Sequence, residues 1–133
     1  MARQNSSQYC VDMTNPPNPI RDKSYAFAKE VVLLQKRLVS KKEFVLSKQL
    51  LRSGTSICAN IEEAHQSQSR KDFLSKMQIA LKEAYEARYW IRLLTDTGYI
   101  QTDHGEKYLE YISEIIKILA VIVSRTRDNI KKK

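Results

Sequence analysis

Glu62-x-x-His65 is the first place in this 133-residue chain where chemistry can be sought. A carboxylate and an imidazole three residues apart on a helix supply part of a di-iron bundle site. The full site needs a second Glu-x-x-His and two more inward carboxylates. His104, the only other histidine, stands in no such motif. Ile61 and Ala64 hold the apolar stripe and turn Glu62 and His65 to its flanks, so no metal site is expected. Cys58 paired with His65 or His104 would make a nucleophile and its base. Cys58, however, lies among apolar and small residues of a helical pattern, where free cysteines are inert packing. The chain has no glycine-rich phosphate loop, no zinc-ligand spacing and no carboxylate pair in an identifiable cleft. It reads as a non-enzyme, with no catalytic residue and no cofactor.

The cations point elsewhere. The formal net charge is +8, and it is unevenly placed. Lys36, Arg37, Lys41, Lys42, Lys48 and Arg52 stand against Glu43 alone. Arg125, Arg127, Lys131, Lys132 and Lys133 stand against Asp128 alone. The remainder of the chain is close to neutral. Two basic clusters on a near-neutral body suit a polyanion better than diffuse basicity would. Lysines also collect at helix C-termini for the dipole alone, which is the plainer reading of the same residues. For phosphate contact the sequence nominates Lys36, Arg37, Lys41, Lys42, Lys48, Arg52, Arg125, Arg127 and Lys131. No recognition helix or RNA-binding motif is visible, so shape and charge would outweigh base readout.

Tyr85, Arg88, Tyr89 and Arg92 crowd one half of a helical segment, beside Trp90. Tyr85, Arg88 and Arg92 step by three and four, off the apolar stripe. Such faces recur at protein interfaces and can also stack on bases. Packing between subunits is the favoured reading, with Glu83 and Glu86 pairing locally to arginines.

These residues require elements to hold them. All three prolines, Pro16, Pro17 and Pro19, precede residue 20, as a helical remainder requires. Residues 1–20 are polar and aperiodic and are expected to form a flexible arm. They lack the apolar segment of a secretory signal. No apolar run approaches the roughly 20 residues of a membrane span. Two cysteines, Cys10 and Cys58, are too few for a disulfide framework, so a cytoplasmic location is expected.

A first helix should start near Asp22 or Ser24 and bury Phe27, Val31, Leu34 and Leu38. A second should run from about Glu43 to Gln66, with Leu50, Gly54, Ile57, Ile61 and Ala64 on one face. Seven small or short polar residues lie between Ser53 and Asn60, all but Ala59 mediocre to poor helix formers. Close approach of a neighbour would explain them, and the alanines of the third helix are the expected partner. That third helix, capped by Ser69 and ended by Gly98, shows Phe73, Met77, Ala80, Ala84, Ala87, Ile91 and Leu94 in steps of four and three. A fourth, capped by Thr102 or Asp103, carries Tyr108, Ile112, Ile115, Leu119, Ile122 and Thr126. The prediction is an all-α, up-down-up-down antiparallel four-helix bundle over residues 21–130, with a basic tail at 131–133.

Gln49 to Ala64, reading QLLRSGTSICANIEEA, resembles the bacterial four-helix-bundle family named for reading frames inside intervening sequences of large-subunit ribosomal RNA. Ser24-Tyr25-x-Phe27-Ala28, Asp72-Phe73-Leu74-x-Lys76, Ile79 to Ala84 and Tyr89-Trp90-Ile91-x-Leu93-Leu94 add to the match, which spans roughly Ile20 to Ile130. Cys58 departs from the glycine usual there. Accessory variability determinants of diversity-generating retroelements look like relatives. The resemblance implies a homopentameric barrel of bundles and no enzymatic activity. For the retroelement relatives it also implies binding to a reverse transcriptase and to nucleic acid. The combined expectation is a basic, non-catalytic homo-oligomer that binds structured RNA or an RNA–DNA complex. A protein-interaction scaffold is the alternative.

Overall fold

The computed structural model describes residues 18–132. The expected arm lies outside the described residues up to position 17, as does Lys133 of the expected tail. Among the described residues there are four α-helices and no strand: α1 (Pro19–Ser40), α2 (Val45–Ala64), α3 (Arg70–Asp96) and α4 (Thr102–Lys131). No described helix is long and apolar enough to cross a membrane.

α1 begins earlier than the sequence predicts. The Asn18 side chain accepts from the Arg21 amide at 3.3 Å, and Pro19 takes the first helical position. Proline suits that position because its missing N–H would have no partner there and its φ is already helical. Ile20 thereby enters the core. The predicted stripe of Phe27, Val31, Leu34 and Leu38 is buried, and Ser24 joins it.

The turn after α1 is a Schellman motif built without glycine. The Glu43 amide donates to the Leu38 carbonyl and the Lys42 amide to that of Val39. Lys42 adopts φ 66° to allow this. Glu43 does not begin α2 but serves it. Its carboxylate accepts from the Leu46 and Ser47 amides at 3.1 and 2.6 Å, satisfying donors that the first turn leaves free.

In α2 the run of small residues stays helical because its apolar face is packed in the core, while its polar side chains bond back to the preceding turn. Ser53 donates to the Gln49 carbonyl, Thr55 to Leu51 and Asn60 to Ser56. Leu50, Gly54, Ile57, Ile61 and Ala64 are buried as predicted. The partner of Gly54 differs from the expectation. It faces α1 rather than the alanines of α3: a Cβ at Gly54 would lie 2.9 Å from both γ-methyls of Val31. A branched side chain on α1 fills the space the glycine leaves. A valine needs that room, whereas an alanine stripe leaves room of its own.

Met77, Ala80, Ala84, Ala87, Ile91 and Leu94 of α3 are buried, with Phe73 half-buried. Ser69 caps the helix by accepting from the Asp72 amide at 3.0 Å. Gly98, at φ 90°, closes it in a second Schellman motif: Tyr99 donates to the Leu94 carbonyl and Gly98 to that of Thr95. α4 is preceded by Gln101, without a side-chain cap, and continues through Lys131. Gly105 makes a close approach absent from the sequence reading, since a Cβ there would lie 2.3 Å from Thr95 Oγ1. Sequential helices pack extensively, whereas α1 and α4 touch far less.

Candidate nucleic-acid interface

The run from Lys36 to Lys48 forms one end of the molecule. Lys36 and Arg37 lie in the closing turns of α1, Lys41 and Lys42 in the turn itself, and Lys48 in the opening turns of α2. All five are exposed. Two are anchored by neutral groups: Arg37 donates to the Tyr108 hydroxyl at 2.7 Å, and Lys41 to the Tyr99 carbonyl at 3.2 Å. A phenol and a carbonyl hold these cations in place without cancelling their charge. Glu43, the acid of this stretch, is only 8% exposed and spends both oxygens on backbone amides. Its charge is turned inward to the helix terminus, which leaves the outer surface cationic.

Arg52 belongs to the same sequence cluster, one turn beyond Lys48 on α2, but is held by carboxylates. It bonds Glu83 at 2.9 Å and also Glu86. The Glu86 hydrogen bond raises the guanidinium's pKa, with Glu83 adding to it against the effect of burial. Glu86 in turn accepts from Trp90 Nε1 at 3.1 Å, and that bond, with Arg52, holds its carboxyl below the ordinary range. Arg52 is therefore an α2–α3 tie between carboxylates and offers no free charge to a phosphate.

Arg125, Arg127 and Lys131 are exposed along the last turns of α4. Arg21 and Lys23, cations of the first turns of α1, are engaged by Glu62 at 2.7 Å and Glu114 at 3.1 Å. On α3, Tyr85 and Tyr89 are 47% and 52% exposed. The Arg88 guanidinium lies 5.1 Å from the Tyr85 ring centroid, Tyr89 packs edge-on to Trp90, and Arg92 is exposed.

The Glu62–His65 pair is committed to structure. Glu62 takes the Arg21 guanidinium. His65 Nδ1 lies 2.8 Å from the Ile61 carbonyl and Nε2 lies 2.6 Å from Asn18 Nδ2. A carbonyl can only accept and an amide nitrogen only donate, which assigns the proton to Nδ1. Among the described residues no group of three His, Cys, Asp or Glu side chains could hold a metal ion. Cys58 is buried, and burial pushes its thiol pKa up, away from the nucleophilic thiolate.

What the sequence reading missed is the pair of anchors, Tyr99 and Tyr108. Spacing places Tyr108 in the α4 stripe, and its hydroxyl carries no signal of an arginine partner 71 positions away.

Four packed amphipathic helices with an exposed cationic end define a small, basic, all-helical protein. Residues 18–121 match the family described as 23S rRNA-intervening sequence protein, and the chain belongs to that family. It is also similar to a crystal structure described as a protein of unknown function from the S23 ribosomal protein family of Bacteroides thetaiotaomicron VPI-5482. The two are 53% identical, with a TM-score of 0.77, covering 78% of this chain and 97% of that one. No curated protein matches the chain.

Proposed function

We propose that this chain is a non-catalytic, cytoplasmic RNA-binding protein that works as a homo-oligomer of antiparallel up-down-up-down bundles. The observation that carries the proposal is the cationic end, where Lys36, Arg37, Lys41, Lys42 and Lys48 are exposed while Glu43 is turned inward. Phosphate neutralisation by such a surface supplies affinity independent of sequence. Arg125, Arg127 and Lys131 form a second exposed basic cluster at the opposite end of the bundle, about 25 Å or more from Tyr108 along α4. Arg52 is left out because two carboxylates already hold it.

The antiparallel order is supported by pairs whose numbers rise on one helix as they fall on the next: Asn18 with His65, Arg21 with Glu62 and Val31 with Gly54. The pentameric state rests on the family resemblance. Tyr85, Arg88, Tyr89 and Arg92 are the surface assigned to subunit contact. The same exposed tyrosines favour the second reading, a protein-interaction scaffold, since aromatics and arginine are enriched at interfaces. A reverse transcriptase is the protein partner that the retroelement relatives suggest.

Binding of a structured RNA should fall steeply between about 50 and 200 mM salt, as counterion release requires. Affinity near background at the lower concentration, or flat across the range, overturns RNA binding. Oligomeric, nucleic-acid-free material then favours the scaffold. A neighbouring reverse-transcriptase gene with template and variable repeats would support the retroelement relation.

A further inference from the structure

Where α1 and α4 part, a groove of about 930 Å³ opens between them, floored by Ala26, Phe27 and Leu33 of α1 and Tyr108 of α4. A recess of about 200 Å³ continues it past Arg37 and Tyr108 to Lys41 and Tyr99. We infer that this groove seats a single-stranded RNA segment, with a base against Tyr108 and phosphates along Lys29, Arg37, Lys41 and Lys107. The inference deepens the RNA-binding reading above and rests on it.

Charge selects this occupant. Among the described groove-lining residues four cations face one carboxylate, that of Glu30. A second copy of the chain carries a net charge of +8 itself, 23 Lys and Arg against 15 Asp and Glu, and so is repelled overall by this cationic groove. Residues 1–17 offer one arginine side chain, Arg3, against one acid, Asp12. Either occupant supplies too little net negative charge to match four cations, and burying cations without partners is costly. A phosphate backbone instead neutralises them.

Shape selects a single strand. The Arg37–Tyr108 hydrogen bond sets a guanidinium plane beside a phenol ring in the middle of the groove, two surfaces on which unpaired bases stack. Tyr111 is already taken, stacked on Phe27 at 5.8 Å with Lys23 4.6 Å from its ring, so Tyr108 is the stacking site. A duplex keeps its bases out of such a groove.

The test uses the full chain and two RNAs, a hairpin and a short oligouridylate carrying 4-thiouridine. Lys29 and Lys107 are exposed and have no carboxylate partner within salt-bridge distance among the described residues, so K29Q/K107Q leaves the core intact. The double variant should weaken oligouridylate binding about fivefold or more at about 50 mM salt, where phosphate contacts count most. Photocrosslinks should fall on the peptide containing Tyr108. Tyr108→Phe should keep most of the affinity and Tyr108→Ser should lose it. Hairpin binding with oligouridylate affinity unchanged in K29Q/K107Q, and crosslinks elsewhere, overturns the groove and leaves the RNA-binding reading standing. No binding of either RNA overturns both. A fall in solution mass of Leu33→Asp with unchanged oligouridylate affinity identifies a second copy as the occupant and overturns the groove site.

Discussion

The seam between α1 and α2 is closed and the seam between α1 and α4 is open, although α1 is common to both. On the closed side Gly54 removes every atom beyond Cα, and Val31 fills the gap so fully that a Cβ would meet it at 2.9 Å. On the open side tyrosines and long cations line the join, and about 930 Å³ stays unfilled. One face of α1 is given to the core and another to solvent and charge. The closed seam is built on the smallest side chain, and the open seam is lined by the longest.

Adding volume to each seam separates them most sharply. Gly54→Leu should cost about 3 kcal/mol in urea unfolding, the upper range for overpacking. Ala26→Leu, into the open seam, should stay within about 0.5 kcal/mol. Equal costs would show that the groove closes in solution.

Charge gives the next contrast. Arg52→Gln strands the buried Glu83 and should cost about 1 kcal/mol, after allowing for the exposure of the arginine. It should leave RNA affinity unchanged. Arg37→Gln should do the reverse, weakening RNA severalfold with little effect on unfolding. A matching loss of RNA binding in Arg52→Gln would erase the distinction between paired and free cations.

The two Schellman turns differ in a smaller way. Gly98 adopts φ 90° freely, whereas Lys42 holds φ 66° against its own Cβ. Lys42→Gly should stabilise the fold by about 1 kcal/mol while weakening RNA binding. Unchanged RNA affinity would show that the strained lysine serves only the turn.

Acid should reveal the α2–α3 tie last. Folding lowers the Glu86 pKa below its ordinary value of 4.5, first through Trp90 and then through Arg52. The folded state therefore binds that proton less tightly. Its stabilisation is complete above pH 4.5 and is lost as pH falls through the depressed value. Glu86→Gln should flatten that limb of the stability curve, read by denaturation at several pH values.

Much of the fold was legible. The steps of four and three in Met77 to Leu94 put the core of α3 on one line, and every residue of that line is buried. Ser69 and Gly98 marked the two ends of α3 by chemistry that acts within a few residues. The start of α1 is not legible in the sequence because Asn-Pro is equally at home in an extended arm and at a helix N-terminus. The basic cluster was legible as composition but not as surface. Arg52 and Arg37 look alike in the chain, and their partners lie 31 and 71 positions away.

By itself, then, the sequence determined which segments are helical and which face of each is buried. Both depend on a 3.6-residue period and on caps set by neighbours along the chain. Only the tertiary structure decided which helix Gly54 admits, which arginine is left without a carboxylate partner and where α1 parts from α4. Those outcomes depend on side chains from distant segments meeting in space, and no local pattern encodes the meeting.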